Sequence, residues 1–589
     1  MKTNSFLRYI ILAVLFGAVG LVIILKLVQI QVFLHNEKFV EQNKNFEYLP
    51  KILQPARGQI YDRWGHLLAG NEEVYEIGVD LVEMKNPETV ALMASMLLGK
   101  DYNEVLQAIN FDEDDELPYR YYVLARYVPL ATKERIEQYI ESLKKNPSPA
   151  LSFSGEPNSL AGVSIQPHLA RVYPEGPLAS NILGFVSMEG KGYFGVEGYY
   201  DDWLAGVSKS VRVPRDPRLA TEIPEPVAGA SLVLTIDREI QSSVEEILDK
   251  AVEDTGAEGG TILVMDPETG EILAMASSPR MDLNEYWRID EFFDDEQPFN
   301  LGVHSYEPGS VFKVLTMAAA LDSGTVEPDT VFLDVGVINV GGIPIYNWNR
   351  GAWGEQDMTG CMQHSLNVCL AWIATEMGQN TFYDYMRAFG FGHLSGVELI
   401  EEVPGHLKLP IDKDWHPADL GTNAFGQGIM VTPVQMLGAI SAIANDGNAV
   451  LPHVVKAVVN DGQQHDFSSQ ITGSPISAET AHILTNMLAV SLEEEASSAL
   501  VEGYRVAGKT GTAEIAGPGG YTGELTNVSF VGWGPVDDPQ FLVYVWLQKP
   551  TSSPWGSVVA APVFSEVVTR LVVLMNIPPD DVRQAIVVP

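Results

Sequence analysis

Three short polar motifs, Ser310-Val-Phe-Lys313, Ser365-Leu-Asn367 and Lys509-Thr510-Gly511-Thr512, follow one another along this chain, each in a different predicted local structure. A fold that uses them together must bring a helix start, a turn between helices and a strand to one cleft. Ser310 follows the turn signal Glu307-Pro308-Gly309 and opens an apolar run that closes near Gly324, which predicts a buried helix. In the first turn of that helix the serine sits at the positive end of the helix dipole, where a developing oxyanion is favoured. Lys313, three residues on, shares its face. A serine hydroxyl is a poor nucleophile until a base takes its proton. Lys313 serves as that base only when neutral, and a free lysine titrates at about 10.4. Burial and a second cation both lower that value, and Lys509 is the candidate second cation. A capping serine with a surface lysine is the plainer reading, but the flanking helix is too apolar for a solvated face.

Ser365 and Asn367 are two residues apart and cannot share a helix face, so they are expected in a turn with both side chains aimed into a cleft. Ser365 is placed to relay a proton between Lys313 and a leaving amine. Asn367 offers a carbonyl and an amide to a peptide-like ligand. Lys509–Thr512 follow the short β-type run Tyr504-Arg-Val-Ala507 and precede two further strand-like runs, Asn527–Trp533 and Phe541–Leu547, the pattern of an antiparallel meander. Gly511 lets a substrate backbone lie against the strand edge, where main-chain hydrogen bonds align it. Upstream, Thr261–Ala276 reads as two strands around a Pro-Glu-Thr-Gly turn, and a helix is expected near Val563–Leu574. Strands at both ends of a region with helices between fit one antiparallel sheet flanked by helices.

The motif triple, with Glu307–Lys313, Phe425-Gly-Gln-Gly-Ile-Met-Val-Thr-Pro-Val-Gln435, Lys509–Glu514, Thr235–Gln241 and Ser529–Pro535, resembles the transpeptidase domain of class B penicillin-binding proteins. Arg57-Gly-Gln-Ile-Tyr-Asp-Arg63 with Gly65, Arg171–Gly176 and Gly195-Val-Glu197 are similar to the motifs of that family's non-catalytic pedestal. The similarity is nearest to division- and sporulation-type members (FtsI-like, SpoVD-like). The resemblance implies an α+β chain: an N-terminal transmembrane helix, an elongated mixed α/β pedestal, then a penicillin-binding domain. It implies a peptidoglycan D,D-transpeptidase in septal or lateral wall synthesis, acylated on Ser310 by stem peptides and by β-lactams. Lys313 is then the base, Ser365 and Lys509 handle protons and the substrate carboxylate, and Asn367, Thr510, Gly511 and Thr512 bind substrate, with the amides of Ser310 and Thr512 as oxyanion hole. It also implies a partner, a membrane glycan polymerase of the SEDS family (FtsW- or RodA-like). No cofactor or metal is expected. Two alternatives stand beside it. A serine β-lactamase needs a glutamate for its deacylating water, and Glu401 and Glu402 lie at a superficially suitable distance after Ser365 but in a different sequence context. A catalytically silent scaffold or β-lactam sensor is the other.

The remaining features bound this reading. Tyr9–Leu25 is an uncharged apolar run of 17 residues, continued past Lys26 by Leu-Val-Gln-Ile-Gln-Val-Phe-Leu34, within the range of a membrane-spanning helix. Lys2 and Arg8 precede it, so the N-terminus is expected in the cytoplasm and the rest outside the plasma membrane. The run lacks a small-residue cleavage site just after it, which favours a retained anchor over a signal peptide. The expected divisions are a tail at 1–8, an anchor at 9–34, a pedestal/dimerisation domain at 35–225 and a transpeptidase domain at 226–589. Pro214–Pro226 marks the last boundary and Asn146–Pro157 an exposed connection. A formal net charge of −40 argues against nucleic-acid binding. Asp112–Glu116 lacks the glycine and spacing of a calcium loop. Cys361 and Cys369 would stand about 12 Å apart in a continuous helix. The turn at Ser365 shortens that distance and leaves a bond open, but two buried thiols are the expected state. His304 is expected as a wall residue of the cleft, without the context of a triad.

Overall fold

The structure, a computed structural model, describes residues 4–29, 48–111, 120–146, 159–214, 226–294, 297–517 and 520–587. The acidic run Asp112–Glu116, residues 147–157 of the expected connection and nearly all of the proline-rich boundary lie outside them. Contacts divide the chain into two compact units, Met1–Ala56 with Gly206–Gly229, and Arg57–Ala205 with Ala230–Pro589.

The first unit holds helix α1 (Asn4–Val28), whose large apolar side chains are exposed on all sides. Its length and composition suffice to cross a membrane. The helix begins ahead of the expected anchor; the anchor's final residues, 30–34, lie outside the described set. A strand pair joins Tyr48–Leu53 to Lys209–Pro214, antiparallel, with Tyr48 opposite Pro214.

In the second unit, strands β1 (Ile60–Tyr61), β2 (Leu67–Asp80), β3 (Tyr121–Val128) and β4 (Val163–Val172) precede a short helix, α2 (Gly195–Tyr199). β2 pairs antiparallel with β1, β3 and β4. β1 runs parallel to β5 (Ser231–Leu234), which pairs antiparallel with Val455–Asn460. This mixed sheet ties the N-terminal half to the C-terminal half through backbone hydrogen bonds. The pedestal motifs converge beside it. Glu197, on α2 and fully buried, accepts Arg57 Nε at 2.7 Å and Arg171 Nε at 2.6 Å, and Arg57 also reaches Asp201 at 2.7 Å.

Helix α3 (Arg238–Thr255) starts where the Asp237 carboxylate accepts the amides of Glu239 and Ile240 and stops at Gly256, with φ +63°. Strands β6 (Gly259–Met265) and β7 (Ile272–Ser278) form the expected hairpin. The central helices are α4 (Lys313–Asp322), α5 (Met358–Gln363) and α6 (Asn367–Met377). Strands β8 (Ala507–Gly517), β9 (Gly520–Gly534) and β10 (Phe541–Gln548) complete a five-stranded antiparallel sheet in the order β7-β6-β10-β9-β8. Helix α7 (Gly556–Leu574) follows. The apolar run of β10 is explained by burial on both faces. Leu542, Tyr544 and Trp546 enter one core with α4 and α6, while Phe541, Val543, Val545 and Leu547 enter another with α3 and α7. The result is the expected antiparallel sheet between helix layers. It leaves β8, the strand carrying Lys509–Thr512, at an edge.

Candidate active site

Ser310 stands in a turn of 3₁₀-helix, Gly309–Phe312, that runs directly into α4. The turn is reached by close backbone approach. Gly309 has φ +60° and Gly426 φ +80°; a Cβ on Gly426 would lie 2.2 Å from the Gly309 carbonyl oxygen, and one on Gly309 2.8 Å from that of Thr512. The Gly309 amide donates to Gly426 O at 3.0 Å. Ser310 itself faces the cleft. Behind it α4 is buried from Lys313 to Ala320, and Lys313 is 0% exposed.

A fully buried lysine must find acceptors, and Lys313 finds three. Its Nζ donates to Ser365 O at 2.6 Å, Ser365 Oγ at 3.1 Å and Asn367 Oδ1 at 2.7 Å. None is a carboxylate. Burial first, and the charge of Lys509 second, hold the Lys313 ammonium well below the usual lysine range.

The turn between α5 and α6 supplies those acceptors. Ser365 has φ +52°, a left-handed conformation unusual outside glycine, and it reverses the chain so that its carbonyl and its hydroxyl face one point. The Leu366 amide closes the turn on Cys361 O at 3.0 Å. The same reversal corrects the expectation of two thiols. Cys361 and Cys369 come to 6.1 Å between Cα atoms and are joined by a disulfide that brackets Ser365 and Asn367. Asn367 also donates from Nδ2 to Tyr346 O at 3.2 Å, so both ends of its amide are engaged within the chain.

On β8, Lys509 is only 4% exposed and donates to Thr510 O and Oγ1, each at 3.3 Å. Thr512 Oγ1 accepts the Gly556 amide at 3.1 Å. Gly511 has a packing reason beyond the one the sequence suggests. A Cβ there would lie 2.1 Å from Ser529 Oγ and 2.9 Å from Val311 Cγ1, so its absence lets β8 close on the Ser310 turn.

These elements enclose a cleft of about 420 Å³ whose lining includes Ser310, Ser365, Asn367, Lys509, Thr510 and Thr512. Lys313 lies behind it. Two further lining residues, Trp348 and Trp555, were not singled out by sequence; their rings meet edge to face at 5.3 Å. Trp348 donates from Nε1 to His364 O, just before Ser365, at 3.2 Å, and Trp555 immediately precedes Gly556. Their only sequence signal is the aromatic content of Tyr346-Asn-Trp-Asn and Pro554-Trp. His304, expected as a wall residue, is exposed and outside the lining, whereas Tyr306, two residues on, is buried in the core. Glu401 and Glu402 are also outside it, holding backbone amides elsewhere. A larger hollow of about 750 Å³, between Glu175, Arg238 and Arg570, is lined by none of Ser310, Lys313, Ser365, Asn367 or Lys509–Thr512.

Among known proteins, residues 260–569 match the family model of the penicillin binding protein transpeptidase domain, and residues 52–234 that of the penicillin-binding protein dimerisation domain. The chain is 31% identical to stage V sporulation protein D of Bacillus subtilis over 95% of its own length and 84% of that protein's. It is 28% identical to the peptidoglycan D,D-transpeptidase FtsI of Escherichia coli over 89% of its length and 84% of that one. A crystal structure of penicillin binding protein 3 from Mycobacterium tuberculosis, complexed with aztreonam, superposes with a TM-score of 0.67 at 26% identity, covering 90% of this chain and 98% of the other. A helix-borne serine and lysine, a turn-borne serine and asparagine and an edge-strand Lys-Thr-Gly-Thr thus converge in a chain that belongs to the penicillin-binding proteins, with a dimerisation domain ahead of a transpeptidase domain.

Proposed function

We propose that this chain is a membrane-anchored peptidoglycan D,D-transpeptidase that works through an acyl-enzyme on Ser310. The observation that carries this reading is Lys313, fully buried, bracketed by Ser365 and Asn367, and lowered in pKa, three residues after the cleft-facing serine. Neutral Lys313 takes the proton as Ser310 Oγ bonds to the carbonyl carbon of the penultimate D-Ala of a stem peptide. The amides of Ser310 and Thr512 receive the oxyanion. The C–N bond then breaks, and Ser365 passes the proton to the departing amine of the terminal D-Ala. An amine of a neighbouring stem attacks the ester, its excess proton passes by way of Lys313 to the departing Ser310 Oγ, and the C–O bond breaks to leave a new amide, a free Ser310 hydroxyl and a neutral Lys313. Lys509, Thr510 and Thr512 hold the substrate carboxylate, and the exposed edge of β8 aligns the donor as an added strand. A β-lactam enters the same route, but its amine stays tethered after ring opening.

The anchor sets the N-terminus in the cytoplasm and the cleft outside, and the pedestal takes a SEDS-family glycan polymerase as partner. The positions of Glu401 and Glu402 outside the cleft support a long-lived penicilloyl adduct over β-lactamase turnover. Mass spectrometry after incubation with a penicillin tests the assignment. One adduct on the wild type and none on Ser310→Ala is expected; a wild type that never gains mass, or a variant that still does, sinks it. Growth supported by Ser310→Ala in place of the wild type would favour the silent scaffold instead.

A further inference from the structure

The loop Ser395–His406 connects the α2 region to the segment that carries Ser310. Three of its carboxylates each accept backbone amides from a different stretch of chain. Glu398 accepts the Val454 amide at 2.9 Å, and Glu402 accepts those of Ser395 at 2.5 Å and Gly396 at 3.2 Å within its own loop. Glu401 accepts the Gly195 amide, at 3.0 Å to one oxygen and 3.1 Å to the other.

The backbone that Glu401 holds is firmly fixed. Gly195 has φ +47°, and a Cβ there would lie 2.2 Å from Ile182 O and 2.7 Å from the Gly184 nitrogen. Two residues on, Glu197 is clamped between Arg57 and Arg171. On its other side, the chain beyond Glu401 leads by backbone hydrogen bonds to the nucleophile. The Val403 amide donates to Val303 O at 3.4 Å; His406 and Met430 exchange bonds of 2.7 and 3.0 Å; Val431 and Tyr306 exchange two of 2.9 Å; and Gly309 donates to Gly426 O at 3.0 Å. The path ends one residue before Ser310.

We propose that Glu401 is a positioning residue for acylation. By gripping the Gly195 amide it sets the register of the Ser395–His406 loop, and through it the Val303–Gly309 segment that presents Ser310 to the carbonyl. This rests on the reading of Ser310 as nucleophile. The carboxylate is kept in an unfavourable place: burial pushes it up to about 7, and backbone donors, Gly195 among them, offset this only in part. A neutral apolar side chain would avoid that cost if filling space were the only task.

The test is acylation by a fluorescent penicillin, with the full-length chain in detergent, separating the rate constant of the bond-forming step from the affinity of the preceding non-covalent complex. Glu401→Ala should slow the bond-forming step by roughly tenfold, as a small misplacement of a reacting atom does, while affinity changes by less than about twofold. Glu401→Gln keeps an acceptor oxygen at the same reach and should restore the rate. Glu401→Asp keeps the charge but falls a methylene short, and should behave like alanine; this pair carries the test if Glu401→Ala does not fold. Rates equal to wild type in Glu401→Asp overturn the proposal, as does a rate defect that Glu401→Gln shares in full. An adduct missing from wild type, or present on Ser310→Ala, would instead condemn the nucleophile assignment itself.

Discussion

Two groups of buried basic side chains sit in the same compact unit, and they are balanced in opposite ways. Around Glu197, two arginines meet carboxylates. Arg57 is 8% exposed and Arg171 3%, Glu197 is fully buried between them, and Asp201 adds a fourth charge. Burial alone would lower the Arg57 pKa, but Glu197 and Asp201 more than offset it and hold the guanidinium above its ordinary value. Around Ser365, Lys313 is as deeply buried but meets a carbonyl, a hydroxyl and an amide oxygen, and it feels a second lysine. The Arg57 guanidinium is held in its charged form by that cluster, an arrangement that makes structure. The Lys313 ammonium is instead held well below the usual lysine range, the direction that the proposed base requires.

The largest effect should come from breaking the lysine side of this contrast. Lys313→Met removes the proposed base and fills much of the same volume, so acylation should fall by roughly 10²–10⁴-fold. Lys313→Arg should fall comparably, because arginine stays protonated. Stability should move the other way. The folded pKa of Lys313 lies below its unfolded value of about 10.4, so between the two the unfolded chain binds the extra proton and stability climbs as pH rises through that window. Lys313→Met should remove that slope and melt no lower than wild type at neutral pH. Wild-type acylation should rise with pH well below the ordinary lysine range. Near-normal acylation by either variant would mean that the base is another group.

The arginine side should fail in the complementary manner. Glu197→Gln leaves Arg57 and Arg171 buried without their shared carboxylate, and breaking a buried pair costs about 3–5 kcal/mol. Denaturant unfolding should register that loss, while the fraction still folded slows in acylation by no more than the roughly tenfold expected of Glu401→Ala, far short of the loss in Lys313→Met. If stability holds and acylation collapses, the two groups are not separable in the way their charges suggest.

Legibility in the sequence divides along the same line between local and distant causes. Ser310 and Lys313 were readable because the turn before them and the apolar run around them are contiguous. The alternating destinations of β10 follow from a strand too apolar to have a wet face. A turn at Ser365 is legible from the spacing of Ser365 and Asn367, but its left-handed φ, and with it the three acceptors brought to Lys313, is specified by no local pattern. The expectation of two thiols fails for that reason, since Cys361 and Cys369 approach only once that reversal is made. Trp348 and Trp555 meet across some two hundred residues of chain, and Glu401 finds Gly195 across a similar span. Their partners exist only in the fold. Arg57, Arg171 and Glu197 were visible as motifs, but not as one ionic cluster.

The smallest expected effect sharpens the comparison from within the lysine pair. Lys509 is buried like Lys313, yet its assigned work needs only a positive charge and hydrogen-bond donors, directed at the substrate carboxylate and, through space, at Lys313. Lys509→Arg keeps both, at the cost of fitting a wider planar group beside Thr510, so acylation should drop by only roughly tenfold. The pH profile gives the more telling reading. Burial is the first cause of the low Lys313 pKa and Lys509 the second, so Lys509→Arg should leave the midpoint of the acylation profile where wild type has it. Lys509→Met removes the second cause and should move that midpoint upward, toward the ordinary lysine value. A midpoint that rises equally in both variants would show that Lys509 acts on the cleft by shape rather than charge. A profile unmoved by Lys509→Met would leave burial as the sole cause of the lowered base.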